Sequence, residues 1–165
     1  MRLRGRFDNV SREGVWGYSV KALPEGRLLG LWVRHLALNL CAPPDLPSET
    51  RWFHAGGELR FLPVVDAGKC LEALLDLYWQ GLMQPLPLFP KASRRYAEAL
   101  RRGKAREQCL KEAWERWGGK RNPHPESSDR YHQLAFPDGD ALDPLFEAVA
   151  EGVYGGMLEH LEISG

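Results

Sequence analysis

This chain has little of several things, and each shortage excludes a class of protein. Only three cysteines, Cys41, Cys70 and Cys109, occur in 165 residues. They are far apart and odd in number, which fits neither a disulfide framework nor a CxxC zinc knuckle, so a reducing cytoplasm is the expected setting. No apolar run approaches the ~20 residues of a membrane span, and Met1 is followed by Arg-Leu-Arg-Gly-Arg rather than by a signal-peptide core. P-loop, HExxH and GxSxG patterns are missing, so ATP hydrolysis, zinc proteolysis and serine esterase chemistry find no support. His54, His124, His132 and His160 show no spacing that would assemble a metal site. Internal repeats and low-complexity tracts are lacking too. Net charge is also absent, with 22 basic and 22 acidic residues.

What the charges do have is an uneven distribution. Residues 1–40 carry seven basic and three acidic groups, and residues 91–121 carry eleven and four. Residues 41–90 carry three and six, and residues 122–165 one and nine. Such polarity suits a domain with one face toward phosphates or an acidic partner and another that avoids them. A hydrophobic content of 44% is enough to enclose one ordinary core, so a single domain over 1–165 is expected.

Along the chain, alternation predicts a strand over about 2–10, a turn at Ser11-Arg12-Glu13-Gly14 and a returning strand over 15–21. Apolar residues spaced by three and four predict a helix over 27–40. Arg51-Trp52-Phe53-His54, the Gly56-Gly57 turn and Glu58 to Leu62 read as a second hairpin. Asp66 can cap a helix that ends near Gln84 and buries one broad apolar face. Three prolines in Gln84-Pro85-Leu86-Pro87-Leu88-Phe89-Pro90 favour an extended apolar strap, either packed in the core or left as a docking surface. A basic helical segment capped by Ser93 follows from Arg94 to Trp117, broken or bent at Gly103, then an exposed loop over 118–128. Leu142-Asp143-Pro144 opens a last helix running to about Leu161. Strands first and helices later argue a mixed α/β or α+β layer fold.

The chemistry that stands out is in the first hairpin. Asp8 on one strand and Ser19-Val20-Lys21 on the next resemble the PD-(D/E)XK nuclease pattern, in which an Asp and an [Asp/Glu]-x-Lys hold a divalent metal and orient the attacking water. Ser19 stands where the second carboxylate belongs. Mg²⁺ prefers anionic oxygens, and its pull on a bound water weakens when a carboxylate becomes a hydroxyl. The pattern therefore predicts a small mixed sheet with flanking helices, a restriction-endonuclease-like core that is catalytically incomplete, with Asp8, Ser19 and Lys21 as vestigial positions. No metal or other cofactor is expected in this domain.

Segment order adds a second resemblance. Leu3 to Val10, Tyr18 to Lys21, Leu29-Gly30-Leu31-Trp32-Val33-Arg34-His35-Leu36-Ala37, Glu58 to Phe61, and Tyr78 to Pro90 are similar to the C-terminal domain of the exodeoxyribonuclease V gamma chain (RecC). Ala113-Trp114 and Asp129 to Phe136 extend the likeness over nearly the whole chain. The resemblance implies a nuclease-like domain without its catalytic set, inside a bacterial cytoplasmic helicase–nuclease (RecBCD) that unwinds and degrades double-strand DNA ends for recombinational repair. It implies the beta chain (RecB) and the alpha chain (RecD) as partners, and a fragment of a much longer chain.

Arg2, Arg4, Arg6, Arg94, Arg95, Arg101, Arg102, Lys104 and Arg106 are the candidates for phosphate or partner contact, because guanidinium groups meet phosphates and carboxylates bidentately. Of the six tryptophans, Trp117, at a helix end beside Gly118-Gly119, is the one expected outside the core and free to stack on bases. Asp8 has a simpler reading as a surface partner of Lys21 or Arg6, and His35 as a satisfied core or rim histidine. Two other functions stay open at this point. One is an active metal-dependent DNA nuclease that recruits Glu13 or Glu25 as its missing carboxylate. The other is a purely structural interface without DNA contact.

Overall fold

A computed structural model describes residues 6–43, 45–137 and 141–165. The chain forms two compact units, one from the chain up to Leu71 together with His160–Gly165, the other from Glu72–Glu159. Among the described residues no helix is long and apolar enough to cross a membrane.

The first unit is built on a five-stranded sheet in the order β1-β2-β3-β4-β5. Strands β1 (Val10–Ser11) and β2 (Gly14–Tyr18) form an antiparallel hairpin around Arg12-Glu13. Strand β2 then pairs parallel with β3 (Thr50–His54), a geometry that needs a long crossover, and helix α1 (Glu25–Cys41) supplies it. A second antiparallel hairpin joins β3 to β4 (Gly57–Phe61), and β5 (Leu161–Ser164) closes the sheet antiparallel to β4. Gly57 has φ +119°, and a Cβ there would lie 2.0 Å from the Ser164 carbonyl oxygen, so both the turn and β5 require glycine at this point.

Helix α1 covers the sheet with Leu28, Leu31, Trp32, His35, Leu36 and Leu38, all buried. Trp32 sits 5.5 Å from the Phe61 ring and 5.6 Å from His35, ring centre to ring centre. His35 is wholly buried and bonded at both nitrogens, to Thr50 Oγ1 at 3.0 Å and to the Leu62 carbonyl at 2.9 Å. The carbonyl can only accept, so Nε2 carries the proton and Nδ1 accepts from the Thr50 hydroxyl. Asn39 donates to the His35 carbonyl at 2.8 Å and accepts from the Val64 amide at 2.8 Å. Burial pushes the His35 pKa down to about 4, so the ring is neutral at physiological pH.

The second unit is helical. Helix α3 (Pro90–Arg101) starts on Pro90, and its first free amides, those of Lys91 and Ala92, donate to the Glu126 carboxylate at 2.9 and 2.8 Å. The cap therefore comes from a distant loop rather than from Ser93, whose hydroxyl accepts from the Phe89 amide. The helix stops where Gly103 takes φ +73°, and α4 (Arg106–Trp117) follows. After a 3-10 turn at Glu126–Ser128 come the short helix α5 (Arg130–Ala135), capped by the Asp129 side chain, and α6 (Pro144–Glu159). Asp143 Oδ1 accepts from the Phe146 amide at 2.8 Å, as the Asp-Pro signal predicts for the start of α6. The core of this unit gathers Phe89, Tyr96, Cys109, Trp117, Phe146 and Ala150.

Several expectations need correction. Alternation predicts a first strand over about 2–10, but among the described residues strand begins only at Val10; residues 1–5 lie outside the described part. The returning strand ends at Tyr18, which leaves Ser19 and Lys21 beyond it. The last helix stops at Glu159 because Leu161–Ser164 is taken up by the sheet, and the 118–128 loop is followed by an unforeseen short helix. Helix α2 (Ala67–Met83) buries only Ala67 and Leu71, not a broad face. The strap after it is core at Pro87 and Phe89, as the packed reading of that segment has it.

Candidate functional site

Of the three nuclease-like positions, Asp8 and Ser19 are each bonded within their own segment. Asp8 lies outside the strand and pairs with Arg6 at 3.0 Å, both side chains well exposed, rather than with Lys21. Ser19 donates its hydroxyl to the Lys21 carbonyl at 2.7 Å, while its amide bonds the Phe53 carbonyl at 2.8 Å. The serine is thus occupied in closing the turn after β2, with its oxygen turned to its own backbone. Glu13 is exposed at the hairpin tip, and Glu25 is in the first turn of α1. Among the described residues no three His, Cys, Asp or Glu side chains gather in a way that could hold a metal ion.

The basic segment is more organised than its sequence suggests. Arg94 Nε bonds Glu98 at 2.8 Å, one helical turn on, and Arg95 also reaches Glu98 at 3.4 Å. Glu112 on α4 collects three cations from the neighbouring helix and turn: Arg95 at 3.0 Å, Arg102 at 3.6 Å, and Lys104. The hydrogen bond from Lys104, then the nearby guanidinium of Arg95, holds the Glu112 carboxyl below the usual range against its partial burial. Arg106 Nε bonds Glu147 at 2.9 Å, and Tyr96 donates to the same carboxylate at 2.7 Å. Arg106 foremost keeps Glu147 ionised, while burial and the bond to Glu147 push the Tyr96 hydroxyl up. Arg101 is exposed at the last residue of α3. Arg2 and Arg4 lie outside the described residues.

Trp117 is not at the surface. Its side chain is 3% exposed and its ring centre lies 3.9 Å from that of Phe89. The Gly118-Gly119 pair that made it look terminal instead folds the chain back on α4: a Cβ at Gly119 would meet the Glu115 Cα at 2.8 Å. Exposed tryptophans are found elsewhere, at Trp16, Trp79 and Trp114. The expectation that five of six would be core therefore fails at three positions. On α2, Tyr78, Trp79, Leu82 and Met83 are all exposed, Met83 to 80%. Helical periodicity puts Tyr78 and Leu82 on the apolar face of this helix, but periodicity does not say whether a partner within the chain exists to cover them.

The described residues form a mixed α/β fold, with a five-stranded sheet in one unit and helices in the other, in which Asp8 and Ser19 are each bonded within their own segment. The chain belongs to the RecC C-terminal domain family, whose model matches residues 1–101. The match takes in the whole of α1, β3, β4, α2 and α3 and ends on the last residue of α3; the likeness read further along, through Ala113-Trp114 and Asp129 to Phe136, lies beyond it. Comparison with curated proteins finds no match. Membership of the family ties the chain to the RecBCD helicase–nuclease.

Proposed function

We propose that this chain is a non-catalytic scaffold and DNA-guiding domain of exodeoxyribonuclease V, built on a PD-(D/E)XK-like core and working in the bacterial cytoplasm. The observation that carries the reading is the hairpin: Asp8 is paired with Arg6 and the Ser19 hydroxyl is bound to the Lys21 carbonyl. A two-carboxylate metal site needs both positions free and convergent. The scaffold half of the reading draws support from α2, where four large apolar side chains on consecutive turns face water. Soluble chains seldom leave such a patch uncovered unless another surface buries it. From Leu77 to Pro90 the chain has no charged residue, so the complementary surface would be apolar as well.

RecB and RecD are the partners this reading names. The test is a tagged pull-down of the 165-residue chain against each of them, expressed separately. Capture of either, lost in a Trp79→Glu/Leu82→Glu double variant that still unfolds cooperatively, is the expected result. A folded chain that captures neither would overturn the scaffold reading.

A further inference from the structure

We propose that a cleft in the helical unit, between the end of α4 and the loop that folds back on it, binds the phosphodiester backbone of single-stranded DNA. The inference rests on the DNA-guiding reading and gives it an address that the sequence did not single out. The cleft encloses about 330 Å³ and is lined by Arg95, Arg116, Arg121 and Asn122 together with Glu112 and Glu115.

Its charge is unbalanced in one direction. Glu112 is already shared by Arg95, Arg102 and Lys104, so one carboxylate faces three cations. Among the described residues neither Arg116 nor Arg121 has an ion-pair partner, and both are exposed. Among the residues that line the cleft, three arginines face two carboxylates, and Glu112 is one of those two. The cleft therefore has a small local excess of positive charge, carried by Arg116 and Arg121.

The backbone that carries Arg116 and Arg121 is also held in position. Asn122 Nδ2 donates to the Arg116 carbonyl at 3.0 Å, and the Gly119 amide bonds the Trp114 carbonyl at 2.9 Å, which fixes the loop bearing Arg121 against α4. Glu112 anchors Arg95 by its Nε and Glu98 takes one terminal nitrogen at 3.4 Å, which leaves the other terminal nitrogen of that guanidinium for a ligand. Three guanidinium groups around an open polar cleft match the bidentate geometry of phosphate oxygens. No aromatic side chain lines the cleft, so backbone charge rather than base identity would be read.

The experiment is fluorescence-anisotropy titration of a fluorescein-labelled oligothymidylate with the full 165-residue chain, repeated over a range of salt concentrations. The Arg116→Ala/Arg121→Ala variant is expected to show a log K against log salt slope shallower by about 1.4, and about twentyfold weaker binding near 0.1 M salt from counterion release alone. Arg116→Lys/Arg121→Lys should recover the slope, and Lys69→Ala, which removes an exposed lysine paired with Asp66, should match the wild type. Wild-type slope and affinity in the double alanine variant would overturn the inference while leaving DNA guidance intact elsewhere on the chain. No binding by the wild type would overturn it as well, and RecB or RecD capture in the pull-down would then show the scaffold reading surviving without it. Loss of that capture in the alanine variant, with DNA binding unchanged, would reassign the cleft to an acidic protein surface.

Discussion

His35 in the sheet unit and Glu112 in the helical unit each gather several polar partners, yet they work in opposite dielectrics. His35 is neutral, enclosed and bonded to Thr50, to Leu62 and through Asn39 to Val64, so it fixes where α1 sits on β3 and the end of β4. Its bonds are short-range and directional, and leaving any of them unmade inside the core carries a full desolvation cost. Glu112 is charged, lies at the edge of solvent and is shared by three cations on α3 and the following turn. Salt and water weaken each of its pairings. The sheet unit spends its polar groups on register. The helical unit joins its helices with them.

The comparison breaks most sharply at Trp117. If the helical unit is held by its apolar core and its ion pairs are secondary, Trp117→Ala should cost about 3–5 kcal/mol in urea unfolding, as large aromatic deletions from a packed core do. Trp114→Ala, three residues earlier but exposed, should stay within about 0.5 kcal/mol. Equal small losses would mean that Trp117 is a surface residue after all.

The next effect belongs to the sheet unit and depends on pH. A histidine whose folded pKa is about 4, below the 6.5 of the unfolded chain, takes up its proton more readily when unfolded. Stability is therefore complete above pH 6.5 and falls as the pH drops toward 4, by about 3 kcal/mol if His35 acts alone. His35→Leu should remove that slope, while at pH 7 it leaves Thr50 Oγ1 and the Leu62 carbonyl without a partner at a cost of about 1–3 kcal/mol. An unchanged pH slope in the variant would assign the acid sensitivity to other groups.

How far the sequence reveals these arrangements depends on the range of the interactions. The second hairpin, α1, the break at Gly103 and the Asp143 cap are local, set by turn residues, periodicity and one side chain within a few positions. Strand β5 is four residues whose only reason to be extended is β4, about a hundred positions away. The Glu126 cap of α3 is likewise remote, and nothing near Pro90 announces it. Exposure of α2 was illegible for a different reason: an apolar face looks the same in sequence whether it is covered from within the chain or from outside. At the candidate site, Asp8, Ser19 and Lys21 were found by motif, but Arg116 and Arg121 needed the fold-back loop to come together.

That remote cap gives a smaller and sharper test. Glu126→Ala removes the acceptor for two amides at the start of α3 and should lower stability by about 1 kcal/mol, an ordinary cap loss. Its sign of specificity is hydrogen exchange: the Lys91 and Ala92 amides should lose protection while those of α6 keep theirs. Uniform loss across the unit would show that Glu126 matters through packing rather than through capping.

The smallest expected effect concerns Asp8, and it separates a scaffold from a working nuclease. Asp8 and Arg6 are exposed, so their pairing contributes at most about 1 kcal/mol, and Asp8→Ala should barely move the unfolding midpoint. Activity is the informative readout. With Mg²⁺ or Mn²⁺ supplied, the isolated chain should leave single-stranded DNA intact, and Asp8→Ala should change nothing. Degradation that disappears in Asp8→Ala would mean that the hairpin rearranges around a metal, drawing on Glu13 or Glu25 for the carboxylate that Ser19 cannot provide. The serine itself then discriminates further. In an inert hairpin, Ser19→Asp trades a hydroxyl that closes the turn for a carboxylate near Lys21, and any metal-dependent cleavage gained would show that the scaffold is one side chain away from the chemistry.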